Sequence, residues 1–252
     1  MMANPKPYLS IVIPVYNESK RLPLTLLDID KHLSKVDFTY EILIYNDGST
    51  DDTVEVVEKM KKLIPNLRVD GYQKNQGKGT AVKEGMLEAN GKYRLFMDSD
   101  NSTSIDQFEK MRPFIDKGAH VVIGSRDIKG AVMEPPQSLL KRIMGNMGNL
   151  FIQILLLPGI WDTQCGFKCF SEEASLKIFP LQKIKRWGFD PEILSLAKKF
   201  GYKIEEIPVY WINDTDSKLS PFSYVQVLLE VVKIRFWFWF DAYGLRKKPQ
   251  IK

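Results

Sequence analysis

The stretch KYRLFMDSD, Lys92 to Asp100, passes from a short apolar run straight into two carboxylates on alternate residues. Tyr93, Leu95, Phe96 and Met97 have the composition of a strand buried on both faces, which is the habit of parallel sheets. Three other runs share this shape: YLSIVIPVY (Tyr8 to Tyr16), YEILIYND (Tyr40 to Asp47) and HVVIGSR (His120 to Arg126). LRVDGY (Leu67 to Tyr72) is a weaker fifth. Between them Leu22, Leu26, Ile29, Leu33 and Val36 recur at helical spacing, as do Val54, Val57, Met60 and Ile64. Ser49 and Asp52, three residues apart, are placed to cap the second of these helices. Strands alternating with helices predict an α/β fold with right-handed crossovers and a doubly wound sheet, whose ligands lie at the carboxyl ends of the strands. Asn17-Glu18, Asn46-Asp47 and Asp98-Asp100 all fall at such ends.

The chain has 252 residues, 44% apolar and 27% charged, with a net charge of +5. That balance is globular and excludes wholesale disorder, a collagen-like fibre and a polytopic membrane protein. The mild positive charge suits phosphate-bearing ligands or an anionic membrane surface. No nucleic-acid partner is expected, because the basic residues form no concentrated stripe. Cys165 and Cys169 are too few for a disulfide framework, and no nearby histidine completes a zinc set, so they read as reduced thiols of a cytoplasmic protein. The opening MMANPKPYLS lacks the apolar run of a signal peptide, and no stretch has the uninterrupted apolar length of a spanning helix.

The second half is less regular. Pro135-Pro136 breaks the chain before LLKRIMGNMGNLFIQILLLPGI, which carries Lys141 and Arg142. KIEEIPVYW (Lys203 to Trp211) reads as a strand, and YVQVLLEVVKIRFWFWFDAYGLRKK closes the chain. The two long apolar segments have two readings. They are core helices, or they are helices lying in a bilayer interface, as the crowding of Phe236, Trp237, Phe238, Trp239, Phe240 and Tyr243 among Lys233, Arg235, Arg246, Lys247 and Lys248 suggests.

Several side chains have the chemistry of a site. Asp98 and Asp100 at a strand end can converge on a hard divalent cation that keeps positions free for phosphate oxygens, or they can cap the helical run from Ser104 to Lys117. Asn75-Gln76-Gly77-Lys78-Gly79 opens a helix whose first N–H groups, with Lys78, suit a phosphate; the spacing is not that of a P-loop. Arg126 either grips a diphosphate bidentately or pairs with Asp127 at the surface. Lys218 is a phosphate candidate or a solvated loop lysine. Asp190, in RWGFDPEIL, is a base candidate, or an N-cap followed by proline at the first helical position.

Taken in order, IVIPVYNESKRLP, YEILIYNDGSTDDT, NQGKGTAVKEGM, FMDSDNST, VVIGSRD, DTQCGFKCF, RWGFDPEIL and DSKLSPF resemble the family 2 glycosyltransferases of the GT-A fold. The resemblance runs from about Leu9 to about Lys233, and is closest to the branch holding dolichyl-phosphate β-glucosyltransferases and mannose synthases. It implies a Rossmann-like, mostly parallel sheet flanked by helices, followed by C-terminal amphipathic helices on a membrane surface. Residues 1–220 would form the transferase domain, with a nucleotide-sugar half over about 8–127 and an acceptor half over about 128–220; 221–252 would be the helix and basic tail.

The resemblance also assigns roles. Pro14, Tyr16 and Glu18 would lie against the base and ribose, and Asp47 would bond the uracil. Lys78, Asp98, Ser99 and Asp100 would meet the sugar diphosphate, with Asp98 and Asp100 holding Mg²⁺ or Mn²⁺. Arg126, Lys141, Arg142, Trp187 and Lys218 would serve donor or acceptor phosphates, and Gln164 and Asp190 would lie by the transferred sugar. Two departures stand out: Asn46 replaces an expected acid, and Ser102 stands where the mannosyl branch often has a glutamine metal ligand. The expected activity is inverting, metal-dependent transfer of a hexose, glucose from UDP-glucose first, to a polyprenyl or dolichyl phosphate by a peripheral protein on the cytoplasmic face of a membrane. The missing anchors of relatives would leave docking to the interfacial helices. Two alternatives are a saccharide hydroxyl acceptor with Asp190 as base, and a non-catalytic nucleotide-sugar-binding protein at the membrane surface.

Overall fold

The computed structural model describes residues 6–137, 139–213 and 221–246. The chain runs β1 (Leu9–Val15), α1 (Leu22–Leu33), β2 (Tyr40–Asp47), α2 (Thr53–Met60), β3 (Leu67–Tyr72), α3 (Lys78–Glu88), β4 (Tyr93–Met97), α4 (Phe108–Ile115) and β5 (Val121–Ser125). It continues with β6 (Val132–Glu134), α5 (Leu139–Leu155), β7 (Phe167–Ser171), α6 (Glu172–Ile178), α7 (Phe189–Lys199), β8 (Ile204–Pro208), β9 (Tyr210–Ile212) and α8 (Pro221–Trp239).

Seven strands form one sheet in the order β3-β2-β1-β4-β7-β5-β8, parallel except for β7, which runs antiparallel to both neighbours. Alternate side chains of each strand feed opposite cores. Ile11, Ile13, Ile42, Ile44, Leu95 and Met97 pack with α1, α2 and α4 on one face. Val12, Leu43, Tyr45, Phe96 and Ile123 pack with α3, α6 and α7 on the other, joined by Ile152 of α5 and by Val231 and Ile234 of α8. Strand order reverses about β1, so the carboxyl ends of β1, β2, β4 and β5 share one edge and open a crevice there. The antiparallel β7 starts at that same edge, which brings the loop before it into the crevice.

Three local expectations are corrected. KIEEIPVYW is not one strand: it divides at Val209 into β8 and β9, and β9 pairs with β6 in a separate two-stranded sheet. Ser49 does not cap α2; its hydroxyl accepts from Asn17 N, and Asp51 receives Thr53 N instead. Asp190 is not an N-cap either. Gly188 holds that position, and Asp190 lies inside the first turn of α7.

Among the described residues no helix is long and apolar enough to cross a membrane. The crowded aromatics of the chain's end divide by face. Tyr243 is buried, while Phe236, Trp239 and Phe240 are exposed, as are Tyr224, Val225 and Leu229. On α5, which packs against α8, Ile143, Met144, Met147, Leu150 and Ile154 are exposed as well.

Candidate active site

Asp98 and Asp100 follow β4 directly. Asp98 N donates to Gly166 O at 3.1 Å, and the Asp98 carboxylate lies across the bare α-carbon of Gly166, where a Cβ would stand 2.0 Å from Oδ2. Lys78, the first residue of α3, brings Nζ to 2.6 Å from Asp98 Oδ1, and the same ammonium lies 5.3 Å from the Trp187 ring centre and 5.6 Å from that of Phe96. Asp100 Oδ1 accepts Ser102 N at 2.9 Å. Ser99 O accepts the Thr25 hydroxyl at 2.8 Å and Asn101 Nδ2 donates to Asp28 at 3.0 Å, so α1 holds the turn at two points.

Burial, then the charge of Asp98, pushes the Asp100 carboxyl up. Two crowded carboxylates are the arrangement a dication relieves. Among the described residues no three His, Cys, Asp or Glu side chains converge. A pair of carboxylates nevertheless suits Mg²⁺ or Mn²⁺ that takes its other ligands from phosphate and water.

At the neighbouring strand ends, Asp47 is buried and accepts Asn75 Nδ2 at 2.9 Å, Gln76 N at 2.7 Å and Gly77 N at 3.0 Å. These bonds shape the NQGKG turn and aim the start of α3 into the crevice; burial raises the Asp47 carboxyl against their pull. Asn46, at the position of the first of the two expected acids, closes the next turn by accepting Ser49 N at 3.0 Å and donating to Tyr72 O at 3.2 Å. An amide can do both and a carboxylate cannot. Pro14 is buried within β1, Tyr16 is exposed beyond it, and Glu18 is clasped bidentately by Arg21 at 2.9 Å.

On the other side of the crevice Arg126 departs from the sequence reading: its partner is Asp162, not Asp127. Nε and Nη2 donate to Asp162 at 2.7 and 2.9 Å, Arg126 N donates at 2.9 Å, and the guanidinium lies 5.2 Å from the Trp211 ring centre. Asp162 is fully buried and also receives Gln164 N and Cys165 N. Burial would raise its carboxyl, but Arg126 outweighs that and holds it low. Asp127 is bonded by Asn149 of α5.

Asp190 is bound by Lys168 of β7, whose fully buried ammonium donates to Asp190 Oδ1 and Cys165 O, each at 2.5 Å. Burial pushes the Asp190 carboxyl up against the opposing charges of Lys168 and Lys78. Gln164 Nε2 is sealed from solvent and has no hydrogen-bond partner among the described residues.

The structure thus gathers Lys78, Asp98, Asp100, Trp187 and Asp190 around one point, with Asp47 shaping the turn before Lys78 and the 162–166 loop tying Arg126 and Gln164 to Asp98. Arg142 is exposed on α5. Lys218 and the side chain of Lys141 lie outside the described residues. Asp162 and Lys168 were not singled out from the sequence, although both belong to DTQCGFKCF. The available signal was that both are charged residues within one of the runs that carry the family resemblance.

Residues 10–179 match the family described as Glycosyl transferase family 2. The chain is 41% identical over 242 residues to a dolichyl-phosphate beta-glucosyltransferase of Dictyostelium discoideum, covering 91% of this chain and 74% of that protein. It is 33% identical over 259 residues to the enzyme of that name from Homo sapiens, covering 97% and 80%. Among solved structures, mannosyl-3-phosphoglycerate synthase from Rubrobacter xylanophilus superposes with a TM-score of 0.68 at 15% identity, covering 98% of this chain and 79% of that one. Glucosyl-3-phosphoglycerate synthase from Mycobacterium tuberculosis, solved with Mn²⁺, UDP-glucose and phosphoglyceric acid, gives 0.65 at 17% identity, covering 91% and 80%.

Proposed function

The chain belongs to glycosyl transferase family 2, and on that premise we propose that it moves glucose from UDP-glucose to a polyprenyl or dolichyl phosphate, inverting the anomeric carbon. That the chain is a glycosyltransferase rests on the family and on the names of its relatives. The acceptor and sugar come from those names. The observation that carries the chemistry is the Asp98–Asp100 pair, with Lys78 at 2.6 Å, at the switch point of the sheet.

A divalent cation held by Asp98 and Asp100 would neutralise charge developing on the leaving nucleoside diphosphate. Lys78 would add a fixed positive charge to the same diphosphate. Arg126, locked in plane by Asp162 and backed by Trp211, would bind a phosphate through the guanidinium edge turned away from Asp162. Gln164, whose Nε2 has no partner among the described residues, would lie by the transferred sugar. A lipid phosphate oxygen is already ionised at neutral pH, so a single in-line attack needs no strong base and converts an α-linked donor into a β-linked product. The exposed apolar residues of α5 and α8 support a peripheral site on a membrane, where such a lipid would be reached; the cytoplasmic face is part of the proposal.

A second reading keeps the donor and makes the acceptor a saccharide hydroxyl, with Asp190 as base; the upward push of burial on its carboxyl favours it. Labelled UDP-glucose, UDP-GlcNAc and GDP-mannose, each with Mg²⁺ and with or without polyprenyl phosphate, separate the readings. Label from UDP-glucose should enter organic solvent only when the lipid is present. No extractable label from any donor would overturn the lipid acceptor.

A further inference from the structure

Helix α8 has two faces. Val231 and Ile234 are fully buried in the core that holds Ile184, Phe189 and Ile193, while Val225, Leu229, Phe236 and Trp239 are exposed. On the inner side the Glu230 carboxylate reaches the turn that carries Trp187 and Asp190. Its Oε2 accepts Gly188 N at 2.8 Å, and Gln226, one helical turn earlier, donates to Oε1 at 3.0 Å. A Cβ on Gly188 would stand 2.5 Å from Glu230 Oε2 and 2.8 Å from Glu230 Cβ, so the backbone between Trp187 and Phe189 lies flush on α8.

Gly188 occupies the N-cap of α7, and no side chain of α7's own turn caps that end. Its N–H is one of the donors an α-helix cannot satisfy internally. Glu230 therefore does from another helix what a local capping residue would do. The start of the same segment is tied to the chain's end in a second way. Glu192 accepts Lys183 N at 2.9 Å, Ile184 N at 2.8 Å and the Tyr243 hydroxyl at 2.7 Å, and Lys183 Nζ donates to Ala242 O at 2.6 Å.

We propose that Glu230 is a positioning residue for sugar transfer: by holding Gly188 it sets Trp187 and Asp190 against Lys78 and Asp98, and joins that geometry to the helix whose outer face is apolar and exposed. The inference rests on the site assigned above, since it needs Lys78 and Asp98, which the Trp187–Asp190 turn borders, to act there. It adds that α8 is part of the machinery and not only a means of attachment.

Glu230→Ala removes the acceptor, and Glu230→Gln keeps an oxygen able to accept the Gly188 N–H. Hydrogen exchange across residues 183–190 and steady-state kinetics with UDP-glucose and polyprenyl phosphate read the two consequences. Glu230→Ala should speed exchange in that segment about tenfold, with β1, β4 and α3 unchanged. It should lower kcat roughly 10²-fold with the donor KM within about twofold, and Glu230→Gln should restore both. Unchanged exchange in Glu230→Ala, a loss of protection across the whole chain, or a failure of Glu230→Gln to rescue would each overturn the proposal. If the wild-type chain glucosylates no lipid phosphate, the functional reading falls, while the exchange experiment still decides whether Glu230 holds the turn.

Discussion

Asp98 lies where it does because residue 166 has no side chain. A methyl group at Gly166 would overlap the carboxylate, with Cβ 2.0 Å from Oδ2. Gly166→Ala should therefore cut turnover about 10²-fold while costing roughly 1–3 kcal/mol of stability, read by kinetics beside urea melts; full activity would show that Asp98 need not lie there. Lys168 and Asp190 make the second case. Removing one member of a buried pair strands the other's charge, so Asp190→Asn should destabilise by about 3–5 kcal/mol, and adding Lys168→Met should return most of that. The double variant is the cleaner test of a base: retained transfer fits a phosphate acceptor, and loss of transfer with intact folding fits a hydroxyl acceptor. Asp51 gives a pH signature. Burial would raise its carboxyl, but hydrogen bonds from Thr53 and Ser19 outweigh it and hold it at about 2 against an ordinary 3.8. A lowered carboxyl stabilises the fold above its unfolded value and loses that effect as pH falls through its folded one. Wild type should melt above Asp51→Asn near neutral pH, with the gap closing between about pH 4 and pH 2; a gap that persists at the acid end would contradict this. Asp98, Asp100 and Asp190 were legible as site candidates because their spacing and motif neighbours are local. Lys168 was not, because a lysine in a short mixed run reads as solvent-facing until a carboxylate 22 residues away is folded onto it.

At the scale of elements, β1, β2 and β5 were legible nearly to the residue, since strands buried on both faces leave a largely apolar run; the edge strand β3, only partly buried, gave the weaker signal. β7 was hidden because its FKCFS reads as a mixed loop, and its antiparallel course follows from packing between β4 and β5 rather than from its own composition. The aromatic end of the chain had two readings, and α8 satisfies part of each: Val231 and Ile234 are core, and Leu229 and Phe236 are exposed. If the exposed face enters a lipid interface, Leu229→Ser with Phe236→Ser should weaken binding to anionic vesicles by roughly tenfold or more per residue, leaving the melting temperature unchanged. Undiminished co-sedimentation with vesicles would remove α8 from the interface.

For the whole molecule, the sheet's reversal about β1 gathers residues distant in sequence at one edge, and the antiparallel β7 delivers Asp162, Gln164 and Gly166 to that edge from the opposite direction. The edge itself was foreseen from alternating strands and helices; its second wall was not, because it depends on the order in which β4, β7 and β5 lie. The proposed transfer depends on Asp98 and Asp100 jointly meeting the cation and the donor diphosphate. Crystals soaked with Mn²⁺ and UDP, measured at the manganese absorption edge, test this most directly. The expected result is one anomalous peak bridging both carboxylates and the diphosphate; clear density for UDP with no peak there, and both side chains turned away, would contradict it.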